Sequence, residues 1–190
     1  WPWAAAALAG LAAGFAPLAG TWQEYRARDA RFPLLFDAAQ PATHAWTTLM
    51  SGEPLRVVLL PQLLRAPSGT VAVEMPLDGG RYQGLQIEET PPDWRAWRKL
   101  CAELANPGDA PLRLTLRAED VAASTDADRF DSEFALEPRT YRRQCAELAH
   151  LVPLRPGRRI ELATVQRAFV LHWDIAPRQR LLVSRVWLER

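Results

Sequence analysis

At 190 residues the chain has room for one hydrophobic core of ordinary size, with at most an appendage. Its 23 basic and 22 acidic residues nearly cancel, so no net field draws it to nucleic acid, and no nucleic-acid partner is expected. Eight tryptophans and 16 prolines among short alternating segments point to a β-rich domain with many turns.

Residues 1–21, WPWAAAALAGLAAGFAPLAGT, carry no charge. As a helix, about 20 residues at roughly 1.5 Å each reach ~30 Å, enough to cross a bilayer. The sequence therefore predicts a transmembrane helix over residues 1–22. Trp3, Phe15, Trp22 and Tyr25 are its expected anchors in lipid, and its Ala and Gly residues allow close packing against other membrane subunits. A secretory signal peptide is the rival reading, although no basic stretch precedes the run. Residues 23–33, QEYRARDARFP, form a charged connector.

From Leu34 the chain reads as one β-domain over residues 34–190. Strands are expected at 34–38, 55–60, 70–75, 84–88, 98–105, 111–118, 129–136, 142–148, 166–173 and 180–188. Turn residues separate them at 67–69, 78–80, 106–109 and 156–157. One helical turn is expected at 162–165. Strands spaced this way with no long amphipathic helix argue for an antiparallel sandwich. The stretch ELANPGDAPLRLTLRAED, residues 103–120, reads as a hairpin. Leu112, Leu114 and Leu116 point to the core, while Arg113, Thr115 and Arg117 are left to water or a partner.

Cys101 and Cys145, 44 apart, fit no zinc or redox spacing. Two unpaired small side chains are the first reading, and a disulfide, open to an oxidising compartment, is the second. His44, His150 and His172 have no carboxylate or cysteine at useful spacing. Glu88 and Glu89 are adjacent, so on a strand they face opposite ways and form no glycosidase pair. No nucleophile elbow, phosphate loop or dinucleotide fingerprint is present, and catalysis is not expected.

The order of DWRAWRKLCAELANPGDAPLRLTLRAED, then DRFD, then RAFVLHWDIAPRQRLLVSRVWLE resembles the carbohydrate-binding-type jelly roll at the C-terminus of VanZ-like membrane proteins, a galactose-binding-like sandwich. The segments that carry the likeness are Trp94 and Trp97, the Asn106-Pro107-Gly108 turn, Glu119 and Asp120, and Asp128-Arg129-Phe130. FPLLFD at 32–37 extends it upstream. The resemblance implies a non-catalytic sandwich held outside the cytoplasm, in the periplasm of a bacterial cell, by one inner-membrane span.

In such sandwiches acidic residues of the first and last strands commonly ligate a structural calcium. Here Asp37 is followed by Ala38 and Ala39 where the resemblance implies an aromatic and an acid, and Ser184 and Arg185 stand where it implies an Asp-Asn pair. Calcium needs six to eight oxygens. A site on Asp37, or on the D-x-D-x-x-D spacing of Asp126, Asp128 and Asp131, is therefore the weaker expectation, and a solvated turn the stronger. No other cofactor is expected. For sugar, an exposed aromatic platform is required, and Trp173, Trp187 and Tyr82 are the candidates. Two functions follow. The first is a structural accessory subunit of a respiratory or photosynthetic membrane complex, the sandwich covering its extracytoplasmic surface. The alternative is a module that recognises cell-envelope glycans. The apolar first segment and the eroded ligand positions favour the first.

Overall fold

The computed structural model describes residues 18–77, 83–123, 125, 128–153, 157–172 and 179–190. Its described residues form two six-stranded antiparallel sheets packed face to face. The first sheet runs β3 (Arg56–Leu59), β4 (Val71–Leu77), β12 (Gln179–Glu189), β6 (Lys99–Asn106), β9 (Thr140–Glu147), with β1 (Leu34–Asp37) paired to β12 beyond β4. The second runs β10 (Val152–Pro153), β8 (Phe130–Leu136), β7 (Leu112–Asp120), β11 (Val165–His172), β5 (Gln83–Ile87), β2 (Thr47–Leu49).

Alternation explains the core. Val73, Met75, Leu104, Leu181 and Val183 of the first sheet join Leu85, Ile87, Leu114, Leu116 and Val170 of the second in one buried cluster. Removing each such side chain from water contributes roughly 1.5–3 kcal/mol. Trp94 is wholly buried in the same cluster, and its indole N–H donates to the Pro91 carbonyl at 2.8 Å.

All ten expected strands form, with ends shifted by a few residues. The two strands not anticipated, β2 and β10, have three and two residues, too few to show a period. At 162–165 a single hydrogen-bonded turn forms, Thr164 N donating to Glu161 O at 3.0 Å, with no helix, and Val165 opens β11. The expected hairpin at residues 103–120 is also corrected. Its two arms, β6 and β7, belong to different sheets, so the turn carries the chain across the sandwich. Asn106 braces this crossing. Its Nδ2 donates to Ala110 O at 2.8 Å and Leu136 O at 3.1 Å, while its Oδ1 accepts from Gly108 N at 2.9 Å.

The membrane-span expectation gains no support. Among the described residues no helix is long and apolar enough to cross a membrane. Residues 1–17, including Trp3 and Phe15, lie outside the described residues. A helix over 18–31 instead leans on the sandwich. Tyr25, an expected lipid anchor, packs on Trp46 with ring centroids 4.6 Å apart and hydrogen-bonds Glu89. Arg28 donates to the Glu89 carbonyl. Trp22 is exposed, with the Arg26 guanidinium 4.5 Å from its ring.

One irregularity in β12 shapes the outer surface. Leu181 and Val183 face the core, and so do Val186 and Leu188, because the register slips between Val183 and Arg185. The extra residue, Ser184, is a bulge that resets which side chains point outward. Arg185 and Trp187 emerge on the outer face as a result.

Candidate functional site

On the outer face of the first sheet, strand pairing lays side chains in rows. Trp187, Cys101 and Cys145 are neighbours across β12, β6 and β9, and so are Arg185, Glu103 and Arg143. Leu34 and Asp37 of β1 border these rows. Two bays open here, one on each side of the Asp37–Arg185 pair. The first, of about 270 Å³, is lined by Arg31, Leu34, Gln40 and Trp187. The second, of about 280 Å³, is lined by Thr70, Glu103, Tyr141 and Ser184. Asp37 and Arg185 line both.

Trp187 is half-buried, with the Arg143 guanidinium 5.3 Å from its ring centroid. Arg143 is itself held by Glu189 and by Cys145 Sγ at 3.3 Å. Asp37 is buried and its carboxylate is fully engaged. Oδ2 accepts from Arg185 Nε at 3.3 Å and Nη2 at 3.2 Å, and from Gln40 Nε2 at 3.1 Å. Oδ1 accepts from Ala39 N at 2.9 Å. In the second bay, burial and then the Glu103 carboxylate push the Tyr141 phenol up to about 12. That phenol is therefore a neutral O–H across the physiological range. Ser184, 4% exposed, has a hydroxyl with no hydrogen-bond partner among the described residues.

The outer face of the second sheet differs. Arg117 and Asp131, opposed on β7 and β8, form a two-pronged ion pair at 2.6 and 2.7 Å, both nearly wholly buried. Thr115 is buried beside them. The expectation that Arg113, Thr115 and Arg117 all face water is thus corrected: Arg113 does, the other two do not. Leu171 lies across Gly84 on this face. A Cβ at Gly84 would meet Leu171 Cδ2 at 2.5 Å and the Val170 carbonyl oxygen at 2.8 Å, so glycine is what lets Leu171 lie flat.

Among the described residues considered for calcium, Asp37 and Asp131 are held apart on different sheets. Asp37 lies on the first sheet and Asp131 on the second, each bound to an arginine. Asp128 is buried near the start of β8 and accepts from Thr125 Oγ1 at 3.0 Å, while Asp126 lies outside the described residues. Asp120 caps backbone amides of Ala122 at 3.2 Å and Glu161 at 2.8 Å and pairs with Arg158. Among the described residues, one group of three potential metal-ligand side chains converges: Cys101, Cys145 and Glu189. Its two sulfurs are bonded to each other, so the first reading of unpaired cysteines is corrected to a disulfide. The pairing follows from β6 and β9, which set the two residues directly opposite.

Of the three aromatic candidates, Trp187 is in the groove, and Tyr82 and Trp173 lie outside the described residues. Arg31, Gln40, Glu103 and Tyr141 were not singled out from the sequence as site residues. Asp37 is one of the candidate metal ligands, Ser184 and Arg185 are departures from an expected pattern, and all three line the second bay.

No family model and no curated protein matches the chain. Solved structures do. An exo-β-agarase superposes with a TM-score of 0.64 at 12% identity, over 82% of this chain and 24% of that one. A non-crystalline-cellulose-specific family 28 carbohydrate-binding module gives 0.58 at 9%, over 84% and 93%. The Clostridium thermocellum family 11 module, in complex with a β-1,3-1,4-mixed-linked tetrasaccharide, gives 0.50 at 12%, over 75% and 86%. The chain thus spans about a quarter of the agarase's length but most of each module's. At these identities the likeness establishes the fold, a jelly-roll sandwich. It also overturns the reading as a membrane-complex subunit, since the similar structures are carbohydrate-binding modules and agarases. The link to VanZ-like proteins finds no support.

Proposed function

We propose that the chain is a non-catalytic carbohydrate-binding module, and that the outer face of the first sheet is its glycan-binding surface. The observation that carries this is the bay in which Trp187 stands beside Gln40, Asp37 and Arg185. A sugar ring presents an apolar C–H face to an aromatic side chain and a rim of hydroxyls to hydrogen-bonding groups. Trp187 supplies the first, and Arg31, Gln40 and Arg185 supply the second. The sandwich architecture shared with modules of families 11 and 28 supports the reading. So does the Cys101–Cys145 disulfide, which suits an oxidising compartment outside the cytoplasm, where polysaccharides are met.

The test is affinity electrophoresis in gels containing mixed-linked β-glucan, amorphous cellulose, agarose or a cell-envelope polysaccharide, comparing the wild type with Trp187→Ala. Retardation of the wild type by at least one polymer, lost in the variant, is the expected result. Equal mobility in every gel overturns the proposal. Retardation that survives Trp187→Ala moves the site off this face.

A further inference from the structure

The second bay gives the groove a length and a preference. We infer that the groove takes a neutral oligosaccharide of at least two contiguous sugar residues, one stacked on Trp187 and the next held in the bay of Tyr141, Glu103 and Ser184. This rests on the glycan reading and deepens it. The two bays are similar in size, about 270 and 280 Å³, and share Asp37 and Arg185 as a common wall. A ligand running from one to the other passes over that ion pair, where Arg185 is half-exposed and still has donors to offer.

The two bays differ in chemistry. The Trp187 bay has an aromatic ring and the guanidinium groups of Arg31 and Arg185. Among the described residues the Tyr141 bay has no tryptophan, and its charged lining is two carboxylates, Glu103 and Asp37, against Arg185. Ser184 adds a buried hydroxyl without a partner among the described residues. Glu103 accepts hydrogen bonds, so sugar hydroxyls, which donate, suit this bay. Asp37 is paired with Arg185, so Glu103 is the carboxylate that a uronate there would face, and that like charge disfavours it.

Isothermal titration of the full chain with glucose, galactose, and the di- and tetrasaccharides of the mixed-linked β-glucan and agarose series tests this. Glu103→Gln and Tyr141→Phe are compared with Trp187→Ala. The expected result is affinity rising at least tenfold from monosaccharide to disaccharide in one series. Glu103→Gln and Tyr141→Phe each remove most of that gain. A disaccharide carrying a uronate binds on the order of tenfold more weakly than its neutral counterpart, the effect of one like charge at about 1.4 kcal/mol. If lengthening the ligand gains nothing, or both second-bay variants bind the disaccharide as the wild type does, the two-residue inference falls. In that case loss of binding in Trp187→Ala still upholds the module. If no saccharide binds the wild type, both readings fall together. Circular dichroism of each variant separates misfolding from lost contacts.

Discussion

Each outer face of the sandwich is tied across two directly opposed strand residues, and the chemistry of the tie differs. On the first sheet, β6 and β9 are joined by the Cys101–Cys145 disulfide. On the second, β7 and β8 are joined by the Arg117–Asp131 ion pair. A covalent bridge needs no shelter from water, so the surface around it can stay open, and Trp187 and two bays lie beside it. The attraction within a buried ion pair is less screened by water, but both charges lose hydration, and the pair must then stay intact because a lone buried charge is costly. The second face is accordingly closed at its centre, with Thr115, Arg117 and Leu171 shielded. The tie chosen by each sheet therefore bears on which face can meet a ligand.

The largest effect is expected from cutting the buried pair. Asp131→Ala leaves the Arg117 guanidinium without its partner carboxylate and should lower stability by about 3–5 kcal/mol in denaturant unfolding. Glycan affinity of the folded fraction should not move; a parallel loss of affinity would show that the two faces are coupled. Removing the disulfide with Cys101→Ser and Cys145→Ser together should cost about 3–4 kcal/mol, since the bridge closes a 44-residue separation. Because Cys101 lies directly beside Trp187 on the neighbouring strand, this variant should also weaken binding, which Asp131→Ala should not.

A smaller effect is expected at Trp187 itself. Trp187→Ala should weaken glycan binding by about 2 kcal/mol, roughly thirtyfold, as an aromatic anchor does. Its melting temperature should change little, because the side chain is only half-buried. A large drop in stability with unchanged affinity would make Trp187 a packing residue. The smallest effect concerns pH. Tyr141 holds its proton more tightly folded than unfolded, with its phenol moved from 10.0 to about 12. Between those values the folded chain binds more protons, so stability contributed by this group is complete below pH 10 and is lost as pH rises toward 12. Tyr141→Phe should flatten that part of the stability profile, and the wild type should show one phenol ionising near 12 by ultraviolet absorbance. A phenol that titrates at its ordinary value in both forms would remove Glu103 and burial as its controlling surroundings.

The core was legible because alternation is a local signal. Leu112, Leu114 and Leu116, spaced by two, had to share a face, and all three are buried. The same rule placed Arg113, Thr115 and Arg117 together on the opposite face. It could not say whether that face is wet, because that depends on Asp131, 14 residues beyond Arg117. The Asn106-Pro107-Gly108 turn was legible as a break in the strand. Its destination was not, since a turn between two strands reads alike whether they pair with each other or enter opposite sheets.

The groove shows the division most clearly. By itself the sequence determined that this is a one-core β-sandwich with strands near their observed places, because residue spacing and turn chemistry act over a few neighbours. It also supplied Trp187 as a candidate platform, Asp37 as a candidate ligand, and Ser184 and Arg185 as departures from an expected pattern. Only the tertiary structure decided that these residues meet. Asp37 and Arg185 are 148 positions apart and touch because β1 lies along β12. The bulge at Ser184 then turns Arg185 and Trp187 outward beside them. Pairing between distant strands follows from the closure of the whole core, and no local pattern encodes it.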